Sequence, residues 1–332
     1  MNQPVCLSRR FLSFLLWGGL LVALTTIPAC GDPTGPRAQD RHIARTVALK
    51  LPQAHLTKHP LDAEIADRAF KLFLKTLDPM KLYFYQSDVD RFAEKKAQWV
   101  ELLKAGDVSP AYEVYSVFLQ RVDERVATAL EILKQPLDFT VDEEIVRDPE
   151  LVTYSKTPEE ARDRWQKRIK LDLLVLKADK ETTGQAAIEK LQKRYTSFSK
   201  RVHQTDEDEL LESYLSAICE SYDPHTSYMS PETLENFDIT MKLELEGIGA
   251  ALQSEDGYVV VKKLIPGGAA AKDGRLKIDD KIVGVGQGES GEIVDMVDMK
   301  LTDVVQLIRG KRGTVVRLEV LPADGGAKKV VT

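Results

Sequence analysis

The stretch with the clearest chemistry is Leu245-Glu246-Gly247-Ile248-Gly249-Ala250-Ala251-Leu252. Two glycines flank one apolar residue, and a short alternating strand pattern follows. Glycine takes positive φ without a steric penalty and lets another backbone come close. A loop of this kind can aim successive N–H groups at one point, which makes a nest for an anion. If that point sits at the open edge of a strand, the anion can be a peptide's terminal carboxylate, with the peptide adding as a further strand. Gly-X-Gly alone marks many ordinary turns, so the weight falls on what surrounds it.

Other groups invite a chemical reading, and each has a plainer one. His225 follows Pro224 and sits beside the hydroxyls of Thr226 and Ser227. A triad needs its three groups in hydrogen-bond reach and an oxyanion site, and the sequence supplies neither. A turn is the plainer reading, with the hydroxyls bonded to nearby backbone. Thr205-Asp206-Glu207-Asp208-Glu209 is acidic enough for a metal, but no histidine pattern accompanies it. Carboxylates at a helix start complement the helix dipole instead. No metal and no cofactor are expected. Cys219 lies on a helical face near Tyr214 and Ile218 and reads as a small core residue rather than a nucleophile.

The elements that must position the glycine loop fall in two blocks. The 332 residues suggest two domains. A net charge of −6 implies no nucleic-acid field. From about Asp62 to Tyr222 the pattern is helical. Ile65, Ala69, Leu72 and Phe73 form one stripe. Ser87 with Asp90 starts a helix carrying Phe92, Trp99 and Leu103, which Gly106 stops. Ser109-Pro110 opens the next, with Tyr115, Leu119, Val122, Val126 and Leu133. Thr157-Pro158-Glu159-Glu160 is a capping box before Trp165, Leu171 and Leu174. Leu191, Tyr195, Phe198 and Val202 mark another helix, and the last long one ends before Asp223-Pro224. Ser230-Pro231 caps a short helix through Leu234.

After Tyr228 the pattern changes to strands. Ile239–Leu245 is expected as a strand, then a hairpin of Ala250–Gln253 and Tyr258–Leu264 around Glu255-Asp256-Gly257. Pro266-Gly267-Gly268-Ala269-Ala270-Ala271 begins a short helix, and Leu276, Ile278, Ile282 and Val283 continue the core. Leu301–Ile308 is a second short helix. Val315–Leu321 and Lys328–Thr332 are strands, the last with no turn, cap or polar tail to mark an end.

The first residues read as an export signal. Arg9 and Arg10 precede an apolar run from Phe11 to Ile27, and Ile27-Pro28-Ala29-Cys30-Gly31 follows. The last segment resembles a bacterial lipobox, which implies lipidation of Cys30 and an anchor in the membrane. Ordinary cleavage near Ala29 and an uncleaved single span are the alternatives. Each places the rest of the chain outside the cytoplasm, in the cell envelope or periplasm. Cys6 leaves with the signal, so with Cys30 lipidated Cys219 has no internal disulfide partner.

The second half resembles a PDZ domain. Gly247-Ile248-Gly249-Ala250, Pro266-Gly267-Gly268-Ala269-Ala270 and Gly274-Arg275-Leu276-Lys277-Ile278-Asp279-Asp280-Lys281-Ile282 stand in that family's order and spacing. Leu77-Asp78-Pro79-Met80-Lys81-Leu82-Tyr83-Phe84, Tyr222-Asp223-Pro224-His225-Thr226-Ser227-Tyr228-Met229-Ser230-Pro231 and Leu307-Ile308-Arg309-Gly310-Lys311-Arg312-Gly313 narrow it. Together they resemble the tail-specific proteases, the bacterial carboxy-terminal processing peptidases. The resemblance implies an α+β chain: a helical N-terminal domain, then a small PDZ-type β-barrel or sandwich with two short helices. The expected division is 1–30 signal, 31–40 tether, 41–230 helical domain and 231–332 PDZ domain, cut off in its final strand. In that family a Ser/Lys protease domain follows the PDZ module. Its serine and lysine would lie beyond Thr332, so no catalytic residue is assigned here.

The resemblance also implies how the module works. Gly247, Ile248, Gly249 and Ala250 receive the terminal carboxylate of a protein tail. Leu252 pairs beside the peptide. Leu301, Val305 and Ile308 fall at i, i+4 and i+7, on one helical face, and form the opposite wall. Filling the domain core is their plainer role. Leu301 stands where many PDZ domains carry histidine, which favours tails ending in small or apolar residues. Three functions compete: the recognition portion of an exported Ser/Lys endopeptidase, a non-catalytic envelope adaptor for protein C-termini, and a helical structural lipoprotein.

Overall fold

The computed structural model describes residues 32–178, 184–242 and 246–332. The N-terminal part is all helix: α1 (Ala38–Ala54), α2 (Ala63–Leu77), α3 (Gln86–Lys95), α4 (Trp99–Ala105), α5 (Ser109–Ile132), α6 (Pro158–Ala178), α7 (Gln185–Val202) and α8 (Glu207–Glu220). Then come α9 (Pro231–Lys242) and an antiparallel sheet domain. It contains β1 (Ala250–Glu255), β2 (Tyr258–Leu264), α10 (Ala269–Asp273), β3 (Lys281–Gln287), β4 (Ile293–Asp295), α11 (Leu301–Ile308), β5 (Val316–Leu321) and β6 (Lys329–Val331). The α+β architecture expected from sequence is what is observed. No helix among the described residues is long and apolar enough to cross a membrane.

The helical core forms where the apolar stripes meet. Phe73 on α2 is fully buried and packs edge-on against Trp99 on α4 and Tyr214 on α8, at 6.1 and 5.6 Å between ring centroids. Edge-to-face contacts of this kind suit the aromatic quadrupole. Cys219 is buried in the same region, and burial pushes its thiol up to about 12, so it stays protonated and inert.

Two Asp-Pro turns close the helical frame by the same device. The Asp78 carboxylate accepts from the N–H groups of Leu82, Tyr83 and Phe84 at 2.8–3.0 Å. Asp223 accepts from the His225 N–H at 2.7 Å and the Thr226 hydroxyl at 2.9 Å, and pairs with His55 across the fold. The His225 N–H, with help from His55 and Thr226, holds the Asp223 carboxyl down to about 2. His225 therefore belongs to a turn, as its plainer reading has it.

Several local expectations need correction. Helix begins earlier than the periodicity suggested, at Ala38, inside the stretch read as a tether. Arg37 ties that start to Asp40 and to Asp208 on α8, a long-range anchor with no local signature. The helix read through Phe92 and Trp99 breaks into α3 and α4 at a 3₁₀ turn over Lys96–Gln98. Gly106 does end it, in the left-handed conformation. In the Thr157 cap, the hydroxyl accepts from Glu160 N–H, but the Glu160 carboxylate reaches Lys156 N–H instead of Thr157. On α6 the buried face carries Trp165, Ile169 and Leu176, while Leu174 is exposed. Ile278 is exposed too, because Asp279 takes positive φ and the Asp280 side chain accepts from Lys277 N–H, closing a tight turn.

The largest difference is at 239–245. Ile239 to Lys242 are helical, not a strand, and 243–245 lie outside the described residues. Ser230 Oγ accepts from the Thr233 N–H at 3.3 Å and starts the helix. Once nucleated, each further residue adds a hydrogen bond, so α9 runs past Leu234 through the β-branched pair. Glu232 and Asn236 then accept from Gln306 on α11 and from Arg309 just past its end, at 3.2 and 2.8 Å.

The sheet runs in the order β1-β2-β3-β5-β6, with β4 also on β3. Asp256 and Gly257 both take positive φ between β1 and β2, the two-residue turn whose twist suits a hairpin. Val259, Val261, Ile282, Met296, Val304 and Val320 form the centre of the second core.

The sheet domain is tied to the helices through Lys300. Its Nζ lies 2.7 Å from Asp206 and 2.8 Å from Glu209, the carboxylates that cap α8. The acidic run thus serves the helix start, Lys300 and, through Asp208, Arg37. Burial opposes charge on Lys300, but the two hydrogen-bonded carboxylates win and raise its pKa. Burial likewise opposes charge on Asp206, yet Lys300 and the Glu209 N–H lower its pKa. A depressed acid stabilises above its ordinary pKa and loses that as pH falls through the lowered value. A raised lysine stabilises fully below its ordinary pKa and loses that only as pH rises beyond it. The tie is therefore complete between roughly pH 5 and 9. Lys300→Met should cost about 1 kcal/mol near neutrality. In urea unfolding the gap to the unsubstituted chain should shrink as pH falls below the ordinary aspartate range; a gap independent of pH would rule the ion pair out as its cause.

Candidate functional site

Among the described residues β1 pairs on one side only, with β2, and so forms an edge of the sheet. The residues just before it, Glu246–Gly249, form the loop. Gly247 has φ +153° and Gly249 φ +74°, a region that side chains rarely adopt. Gly249 also sits against the turn before α10. A Cβ there would lie 2.8 Å from the Gly268 Cα, and one on Gly268 would lie 3.0 Å from the Gly249 Cα. The two glycines touch backbone to backbone.

That contact fixes which loop groups are used. The Ile248 carbonyl accepts from the Ala270 N–H, and the Gly249 carbonyl from the Ile265 N–H, each at 2.8 Å. The carbonyls are thus satisfied inside the domain. Among the described residues, the N–H groups of Ile248 and Gly249 have no backbone acceptor. Donors without a backbone acceptor, in a glycine loop beside a strand edge, can receive an anion and then an added strand.

α11 packs against β3 and β1 and supplies the second wall. Val304 and Ile308 are buried at 0% and 4% exposure, so Ile308 serves the core. Leu301 is half-buried against the same core, as are Ile248, Ala250 and Leu252. Val305 is half-buried without joining the core cluster. The structure therefore gathers Gly247, Ile248, Gly249, Ala250 and Leu252 at one edge, with Leu301 and Val305 on the flanking helix. Cys30 lies outside the described residues.

Sequence reasoning missed two supports. One is Gly268, whose signal was the Gly267-Gly268 pair in a block already noted. The other is the extension of α9 past Leu234, which brings Asn236 to Arg309; the β-branched residues of that stretch hid it. Among the described residues no group of three His, Cys, Asp or Glu side chains is placed to hold a metal ion.

Comparison with known proteins agrees with this reading of the two parts. Residues 47–232 match the family described as "Tail specific protease N-terminal domain", and residues 238–321 match "PDZ domain". "Tail-specific protease" of Haemophilus influenzae is 37% identical over 330 residues, covering 99% of this chain and 46% of that protein. "Carboxy-terminal processing protease CtpA" of Bacillus subtilis is 35% identical over 147 residues, covering 44% of this chain and 30% of that protein. A solved PDZ domain of a carboxy-terminal protease from Vibrio cholerae, in complex with peptide, is 48% identical. It covers 26% of this chain and 89% of that chain, with a TM-score of 0.25. The chain spans less than half the length of these two full-length relatives. With the helical match covering more than half of its residues and the PDZ match following, the chain belongs to the tail-specific protease family.

Proposed function

We propose that this chain is the substrate-recognition portion of an exported tail-specific serine protease. Its PDZ domain captures the C-terminal ends of protein substrates for cleavage by a Ser/Lys catalytic domain, and no residue of this chain carries a catalytic role. The observation behind the reading is the loop itself: the Ile248 and Gly249 N–H groups, without backbone acceptors, stand beside the open edge of β1. A terminal carboxylate accepts from these donors in charge-assisted hydrogen bonds, which are stronger than neutral ones. The peptide then pairs with β1. Leu301 and Val305 offer only apolar surface, which selects small or apolar terminal residues. Affinity is about micromolar, or roughly −8 kcal/mol, because the contact is short.

Export rests on Arg9, Arg10 and the apolar run to Ile27, and membrane attachment on a lipid at Cys30. The mature chain then works in the cell envelope, on the periplasmic side. Intact-mass measurement of the mature protein should find an acylated Cys30 at its N-terminus; an unmodified first residue would remove the anchor.

Carboxylate capture has a direct test. A free-acid peptide ending in an apolar residue should bind at least about tenfold tighter than its C-terminal amide, by fluorescence anisotropy. Equal binding would refute the reading. Gly249→Val should abolish free-acid binding and lower stability by about 1–3 kcal/mol, because it forces a side chain into left-handed backbone and against Gly268. Retained affinity in that variant would show that the loop does not hold the carboxylate.

A further inference from the structure

The strand edge leads somewhere. With the carboxylate at Ile248 and Gly249, a peptide pairing with β1 runs antiparallel to it, so its upstream residues approach Ser254 and Glu255. Side chains of an added strand alternate between faces. Those of the last, third-last and fifth-last residues therefore share the face turned toward α11, opposite Ala250, Leu252 and Ser254, the half-buried members of β1.

Ser254 and Leu301 also line a cavity of about 530 Å³ at the junction of the PDZ domain with α5, α7 and α8. Its apolar lining includes Phe118, Phe198, Val202, Leu210, Met299 and Leu301. The ammonium groups at its rim are already engaged. Lys200 pairs with Asp298 at 2.6 Å, and Lys300 lies between Asp206 and Glu209. Arg201, Asp256, Thr76, Ser197 and Ser213 also line the cavity, but apolar surface outweighs polar and leaves room for one large side chain. Its continuity with the β1 edge names the occupant: the upstream part of the tail already held by the loop.

We infer that this cavity is a second subsite for captured tails, taking a bulky apolar side chain at the fifth residue from the end. The inference rests on carboxylate capture by the PDZ loop. It makes the helical domain part of the recognition surface, with selectivity set by two apolar positions spaced along one tail.

The test uses the whole chain and three free-acid peptides by isothermal titration calorimetry. One is a tetrapeptide with an apolar end. Two are octapeptides with that same end, carrying phenylalanine or glycine at the fifth-last position. The phenylalanine octapeptide should bind about tenfold tighter than the glycine one, as burial of one large apolar side chain requires. Met299→Ala should narrow that ratio while leaving tetrapeptide affinity unchanged. Equal affinity of the two octapeptides, with the tetrapeptide still bound, overturns the subsite and leaves capture standing. Failure of all three to bind overturns capture and the subsite together.

Discussion

The recognition end of this molecule depends on one backbone contact, Gly249 against Gly268. Neither position has room for a Cβ. Because the two segments touch, the carbonyls of Ile248 and Gly249 find donors at Ala270 and Ile265. The loop is thereby held by its acceptors, and among the described residues the Ile248 and Gly249 donors have no backbone acceptor. A loop whose N–H groups were also spent internally would be an ordinary turn. Polarity of use, with the carbonyls turned inward and the Ile248 and Gly249 amides without a backbone acceptor among the described residues, is what the proposed capture at the β1 edge relies on.

The rest of the chain holds that edge in place. α11 is fixed from below by Val304 and Ile308 in the core. It is fixed from the side by α9, through Gln306 to Glu232 and Arg309 to Asn236. Just before it, Lys300 enters the capped start of α8. α8 in turn ends near the Asp223 turn, and α2 near the Asp78 turn; each carboxylate collects N–H donors of the turn that follows the helix. α11 is therefore tied to the helical domain by charge, through Lys300 to Asp206 and Glu209 and, nearby, Lys200 to Asp298.

Much of the helical domain was legible because its signals are local. Tyr115, Leu119, Val122, Val126 and Leu133 recur at helical spacing, and all five are buried. Gly106 stops a helix through its own left-handed φ, a local signal, although α1 also packs too close there for a side chain. The hairpin at Asp256-Gly257 was equally plain, since two adjacent residues with positive φ set the turn. The misreadings share a cause. Ile278 looked like core, but a turn closed by Asp280 holds it out in solvent. Ile239 and Thr240 favour strand by type, yet a cap at Ser230 and partners on α11 carried the helix through them. Trp165 was read with Leu171 and Leu174, whereas the buried face runs through Ile169 and Leu176, because the neighbours that cover it come from other helices.

By itself the sequence determined the helical and strand periods, the caps and turns, and the glycine spacing of the loop, because these follow from the torsions and hydrogen bonds of residues a few positions apart. The tertiary structure alone decided that Gly268 would meet Gly249, that Ile308 would turn into the core while Val305 stayed at its margin, and that Lys300 would lie between Asp206 and Glu209. Those outcomes join residues 19 to 94 positions apart. No local preference encodes which distant partner arrives, only what each residue can do when it does.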